Sequence, residues 1–134
     1  MDCIFCKIIN KEIPNYTVYE DENVLAFLDI FPCALGHTVV IPKKHFETPL
    51  EMSVDEYKNY SVGVQAALQK VNSTLKPAGF NVGWNQNKVA GQAVSHLHTH
   101  IIPRFEGDGG GSMHSIIKNQ GEKTVQEVYE LFKN

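Results

Sequence analysis

His96-Leu97-His98-Thr99-His100-Ile101-Ile102-Pro103 places an imidazole at every second residue. In an extended strand successive side chains take opposite faces, so His96, His98 and His100 share one side while Leu97, Thr99 and Ile101 share the other. The stretch therefore reads as a strand with a core behind it and chemistry in front. Imidazole titrates near neutral pH and serves as nucleophile, proton donor or metal ligand, so three in one register mark a site. Spacing alone leaves three readings open. The histidines could attack phosphorus or an acyl carbon, hold a catalytic zinc across Cα separations of roughly 6 to 7 Å, or be structural.

Further extended segments are Tyr16 to Glu20, Asn23 to Asp29, Thr38 to Ile41 and Phe80 to Asn85, with Leu97 to Ile102 as the fifth. Asp21 and Glu22 suit a tight hairpin turn between the first two. The expected sheet is mostly antiparallel and meander-like. A long helix begins at Ser53, where Ser53-Val54-Asp55-Glu56 has the capping-box pattern, and Tyr57, Tyr60, Val64, Leu68, Val71 and Leu75 follow a helical period. It should end before Pro77 and Gly79. Shorter helices are expected over Ile4 to Ile9 and over residues 122–133, the latter with Val125, Val128 and Phe132 on one face. The class is α+β, a five-stranded sheet with the helices on one face.

Composition sets the frame. With 134 residues and 43% hydrophobic content, one domain over residues 1–134 is expected, with no internal repeat. A net charge of -3 argues against general binding to nucleic acid or acidic membranes. With no run of about 18 apolar residues and no basic segment leading into an apolar stretch, neither a membrane span nor a signal peptide is expected, and the location expected is cytoplasmic. In that compartment Cys3 and Cys6 call for a metal or redox explanation rather than a disulfide. The run Gly107-Asp108-Gly109-Gly110-Gly111-Ser112 lacks the Lys-Ser/Thr of a P-loop and, ending in Ser112, misses the dinucleotide pattern, so it reads as a flexible loop.

The segment Gly91-Gln92-Ala93-Val94-Ser95 leading into the histidine strand, with Arg104 after it, resembles the histidine-triad family signature. Val18 through Ile30 and Gly36-His37-Thr38-Val39-Val40-Ile41-Pro42-Lys43-Lys44-His45 resemble that family's first half. Together these stretches span most of residues 3–104, and the likeness is greatest to the nucleoside-phosphoramidase branch and bacterial relatives with an N-terminal Cys pair.

The resemblance implies a homodimer and a nucleotidyl hydrolase or transferase acting at the α-phosphate of a purine nucleotide, with no catalytic metal. It assigns His98 as the nucleophile. His100 would donate to the phosphate or help protonate the leaving group, and His96 would support the strand. Backbone N–H groups around Gly91, Gln92 and Ala93, together with His37, would stabilise the phosphoryl oxygens. Ile4, Phe5, Ile8, Phe27 and Ile30 would enclose the base, Asp29 would bind the ribose and Asn85 would reach the phosphate side. Taken singly, those apolar residues would more often be core.

Ala93 departs from the pattern, since phosphoramidase relatives often carry a hydroxyl there. This makes hydrolysis of dinucleoside polyphosphates the nearest rival, and a nucleotide-binding module with vestigial activity a third reading. Likeness to bacterial members further implies structural zinc held by Cys3, Cys6, His45 and His96, a composition suited to a tetrahedral N2S2 site. His96 would then anchor rather than act on substrate. Cys33 has no assigned role.

Overall fold

A computed structural model describes residues 2–133, so Met1 and Asn134 of the expected domain lie outside the described residues. Five strands form one sheet: β1 (Thr17–Glu20), β2 (Val24–Leu28), β3 (Thr38–Pro42), β4 (Gly79–Gly83) and β5 (Thr99–Arg104). Helices α1 (Ile4–Ile9), α2 (Val54–Leu75) and α3 (Val125–Glu130) complete it. The strand order is β1-β2-β3-β5-β4 with every neighbouring pair antiparallel.

The meander expectation holds for β1 to β3 and then fails. β4 runs parallel to β3, and parallel strands need a long crossover, which α2 supplies. That crossover leaves a gap one strand wide, and β5 fills it. The histidine strand is therefore central and β4 is an edge.

Helix α2 starts where its capping box predicts. Ser53 Oγ accepts from Glu56 N–H and the Glu56 carboxylate accepts from Ser53 N–H, satisfying two otherwise orphaned donors. The helix ends at Lys76, whose left-handed conformation caps it one residue before Pro77. Its inner face packs Tyr60, Ala67 and Val71 against Val24, Ala26, Val40, Leu97 and Ile101. Gly63 sits where α2 crosses β2 so closely that a Cβ there would lie 2.5 Å from Val24 Cγ2.

The helices are not all on one face. Side-chain alternation sends Leu25, Phe27, Val39 and Ile41 to the opposite side, where Ile8 of α1 joins them in a second cluster. α3 forms inside the expected 122–133 segment but packs its apolar side on neither face. Val125 and Phe132 are 87% and 80% exposed, and every residue from Glu106 to Lys133 is exposed. No helix among the described residues is long and apolar enough to cross a membrane.

The regular ladder of β5 begins at Thr99, two residues later than the sequence suggests, so only His100 of the three histidines is in it. β3 ends at Pro42, and the chain before Thr99 pairs elsewhere: Leu97 N–H donates to the Phe46 carbonyl at 2.6 Å. Alternation survives all the same. Leu97 and Ile101 enter the α2 core, and Thr99 Oγ1 meets the Tyr60 hydroxyl at 2.7 Å.

Candidate active site

The three histidines face the α1 side, but their ring nitrogens turn to three different partners. His96 is fully buried. Its Nε2 lies 2.9 Å from the Pro42 carbonyl. A carbonyl only accepts, so that nitrogen carries the proton and Nδ1 keeps the lone pair. His98 has the reverse arrangement, with Nδ1 donating to the His96 carbonyl at 2.8 Å. Its Nε2 is left as the lone-pair nitrogen.

His100 is fixed by a chain that starts at Cys33. The Cys33 backbone N–H donates to His37 Nδ1 at 3.2 Å, so neutral His37 carries its proton on Nε2. That nitrogen lies 2.9 Å from His100 Nδ1, which must accept, leaving His100 with Nε2–H. Asp29 Oδ2 lies 3.7 Å from His37 Nε2, and its Oδ1 accepts from Phe31 N–H at 2.8 Å.

Every buried side-chain nitrogen and oxygen among the described residues has a hydrogen-bond partner. His98 Nε2 and His100 Nε2 have none, so both reach solvent. One presents a lone pair and the other a proton, on rings 5.1 Å apart. Burial, reinforced by the neighbouring His98 and His37, pushes the His100 pKa down to about 4. Burial also lowers that of His37, with Asp29 opposing. The donor is therefore a neutral imidazole at physiological pH.

Among the expected nucleotide-pocket residues, Phe5 of α1 stands edge-on to His98 at 5.1 Å and to Phe27 at 5.8 Å. Ile8 and Phe27 are buried in the cluster beneath α1, whereas Ile4 and Ile30 are exposed by 49% and 69%. Asn85 is exposed and lies beside Gly91, whose φ of +97° suits glycine. The Gly91 and Gln92 N–H groups are committed to the Lys88 and Asn87 carbonyls. The Gln92 side chain clasps the loop, accepting from Asn87 N–H and donating to the Glu47 carbonyl. Ala93 follows directly.

A cleft of about 450 Å³ opens on the other side of His100. Its walls include Trp84 and Asn85 beyond β4, Gly111 and Ser112 at the end of the glycine-rich run, and Met113 and Ile116 after it. That run is held rather than free. Arg104 donates through Nε and Nη2 to both oxygens of Asp108, and through Nη1 to Asn81 Oδ1 and the Gly111 carbonyl. Sequence reasoning missed this clasp, although Arg104 and Asp108 stand four residues apart on either side of a turn.

The four expected metal ligands converge. Sγ of Cys3 and Cys6 and Nδ1 of His45 and His96 all lie within 4.8 Å of one another. Cys3 Sγ to His96 Nδ1 and Cys6 Sγ to His45 Nδ1 are both 3.3 Å, Cys6 Sγ to His96 Nδ1 is 3.7 Å, and the two nitrogens are 3.1 Å apart. Tetrahedral zinc has edges of about 3.6 Å between nitrogen and sulfur and about 3.3 Å between nitrogens, so these residues fit a metal. The Pro42 carbonyl on His96 Nε2 is the outer partner such a ligand needs. Burial and the adjacent Cys3 push the Cys6 thiol up to about 11, a cost that a divalent cation would reverse.

Residues 10–107 match the family model described as the HIT domain. The chain belongs to the HIT family. It is 54% identical over 117 residues to an uncharacterized HIT-like protein of Methanocaldococcus jannaschii, covering 87% of this chain and 90% of the relative. It is 39% identical over 104 residues to an adenosine 5'-monophosphoramidase of Schizosaccharomyces pombe, covering 78% and 75%. A crystal structure of a HIT family member from Bacillus subtilis superposes with a TM-score of 0.85 at 39% identity, covering 99% of this HIT chain and 94% of that one. A zinc-bound histidine triad protein from Mycobacterium smegmatis gives 0.74 at 36% identity, covering 81% and 79%.

Proposed function

We propose that this HIT protein is a nucleotidyl hydrolase or transferase that cleaves purine nucleoside 5'-phosphoramidates at the α-phosphate through a covalent nucleotidyl-His98. The observation that carries the proposal is the orientation of His98: Nδ1–H is held by the His96 carbonyl and Nε2 is open to solvent. The Schizosaccharomyces relative named as a monophosphoramidase supports the choice of substrate.

The reaction divides one hard displacement into two easier ones. His98 Nε2 forms a bond to phosphorus with its lone pair. The P–N bond breaks with its electrons onto nitrogen, which takes a proton from solvent at the open side and leaves as a neutral amine. His98 is then an N-phosphorylated imidazolium whose Nδ1–H still donates to the His96 carbonyl. Water next attacks phosphorus, AMP departs, the lone pair returns to Nε2 and the surplus proton goes to solvent. Throughout, His100 Nε2–H donates to a phosphoryl oxygen. His37 acts through His100 by fixing its tautomer.

Phe5, held against His98, and Asp29, beside His37, support a nucleoside placed on the α1 side. Ala93 favours the second reading, hydrolysis of dinucleoside polyphosphates, because it removes a hydroxyl from the bridge. A metal held by all three histidines has no such support, since their nitrogens diverge. The Cys3, Cys6, His45 and His96 set is proposed to hold structural zinc, binding α1 to the segment before His98. Edge strand β4, flanked by the exposed Trp84 and Tyr57, supports a homodimer seam.

The deciding experiment is a rapid quench of enzyme with adenosine 5'-phosphoramidate, followed by intact-mass and peptide analysis. A gain of one AMP residue on His98 is expected. Turnover with no adduct, or turnover surviving His98→Ala, removes the nucleophile assignment. AMP binding without turnover of any nucleotide conjugate would establish the binding-module reading instead.

A further inference from the structure

The histidine strand parts from its neighbour at one rung. Thr38, Val39 and Val40 of β3 pair with Ile101, His100 and Thr99 of β5, and Val40 opposite Thr99 is the last pair. β3 runs on to Pro42 against β2, while the chain before Thr99 takes other partners. Leu97 N–H donates to the Phe46 carbonyl and His96 Nε2–H to the Pro42 carbonyl. His98 is the first residue beyond this fork, and its ring is held by the His96 carbonyl. Whatever fixes the fork therefore fixes where the open Nε2 of His98 stands.

A side chain from α2 closes that rung. The Tyr60 hydroxyl donates to the Val40 carbonyl at 2.8 Å and lies 2.7 Å from Thr99 Oγ1. Since its one proton faces the carbonyl, the Thr99 hydroxyl donates to it. Tyr60 and Thr99 are both buried, and burial holds the phenol well above its ordinary pKa, so it stays a donor. The reach depends on how low the helix sits. Gly63, one turn further along the same face, brings α2 down onto Val24. The buried cluster around the pair is otherwise aliphatic. Exchanging both partners of a buried hydrogen bond for apolar groups of the same shape is nearly neutral, so Phe and Val would serve stability as well. What the hydroxyls add is direction. Aliphatic contacts let a strand slide and roll, whereas a hydrogen-bonded chain from Thr99 through Tyr60 to Val40 holds it at one distance and angle.

We propose that Tyr60 is a positioning residue for nucleotidyl transfer: acting through Thr99, it pins the last rung between β3 and β5 and so sets the stance of His98 and His100 towards phosphorus. The proposal rests on the nucleotidyl-transfer reading of His98 and adds to it a residue on the α2 side of the sheet, behind the histidines. Thr99 stands between the two rings in sequence, so a roll of the strand at Thr99 moves both. Displacements of about 1 Å at a reacting group are enough to cost up to about a hundredfold in rate.

The test sets Tyr60→Phe, Thr99→Val, Thr99→Ser and the double substitution Tyr60→Phe/Thr99→Val beside the native protein. Three quantities are read on each: the urea midpoint, kcat and KM with adenosine 5'-phosphoramidate, and the ring-nitrogen NMR signals of His98 without substrate. Tyr60→Phe, Thr99→Val and the double substitution should each lower kcat by about tenfold with KM within about twofold of native. Their His98 signals should shift from a single Nδ1–H form towards a mixture of tautomers. Thr99→Ser restores the hydroxyl and should restore kcat. The double substitution leaves no orphaned hydroxyl, so its urea midpoint should recover above that of Tyr60→Phe while kcat stays low. A kcat that recovers with the midpoint makes Tyr60 merely structural and overturns the proposal. So do a kcat within twofold of native in Thr99→Val, the variant that keeps the Tyr60 bond to Val40, and His98 signals that match the native ones. If the native protein does not turn over the phosphoramidate, the nucleotidyl-transfer reading falls, and the His98 signals alone decide whether Tyr60 positions that ring.

Discussion

A neutral imidazole has one donor nitrogen and one lone pair, so the partner of one nitrogen dictates what the other can do. Here three rings of one motif receive three instructions: Pro42 O leaves His96 with its lone pair on Nδ1, His96 O leaves His98 with its lone pair on the open Nε2, and His37 leaves His100 with its proton on Nε2. Replacing His37 with Phe leaves His100 Nδ1 without its donor and frees the tautomer. We expect kcat/KM to fall about 100-fold with AMP affinity changed far less; a fall below twofold in steady-state assays would count against the relay. The same residues give a pH dependence. His100 binds its proton near pH 4 in the folded chain against 6.5 for the free group, so the unfolded chain protonates first as pH falls. Stability should drop as pH falls from 6.5 towards 4 and level off below that. Urea midpoints across this range should show a shallower slope for His100→Asn than for the native protein.

At the scale of elements, the motif turns its histidines away from α2 because Leu97 and Ile101 pack into the core that α2 forms with β2 and β3. Gly63 permits the approach: with Val24 fully buried, the added methyl of Gly63→Ala has nowhere to go. Overpacking of this kind costs about 1–3 kcal/mol despite alanine's better helix propensity. Equilibrium urea unfolding would measure it, and a stabilised variant would show that α2 can shift. The capping box at Ser53 and the apolar period through Leu75 made α2 legible within a residue, because both signals are local. Strand ends were less legible. Whether residues 96–98 join a ladder depends on Pro42 and Phe46, half a chain away.

For the whole molecule, Cys3 and Cys6 at the N-terminal helix meet His45 and His96, the latter in the segment just before β5; the proposed zinc would tie the two together. Chelation in denaturant-free buffer, followed by thermal unfolding, should lower stability. With free zinc at a hundredfold excess over Kd the metal contributes about 2.7 kcal/mol. Turnover by the protein that stays folded should persist; immediate loss of activity with unchanged unfolding would give the metal a chemical role instead. Sedimentation equilibrium should return twice the chain mass if β4 and α2 form the seam, and a single-chain mass would remove that proposal.

The sequence by itself determined the α+β class, the long helix, the face shared by the histidines and the Cys3 and Cys6 pair, because alternation, helical period and residue chemistry are local properties; His45 and His96 joined that pair only through the family resemblance. Tertiary structure alone decided that β5 inserts between β3 and β4, that α1 lies opposite α2, and that the apolar side of α3 stays exposed. It also decided which nitrogen of each histidine is free and that Arg104 turns a glycine-rich run into a wall. These depend on carbonyls and carboxylates brought close by folding, and no spacing along the chain encodes where a backbone oxygen will point.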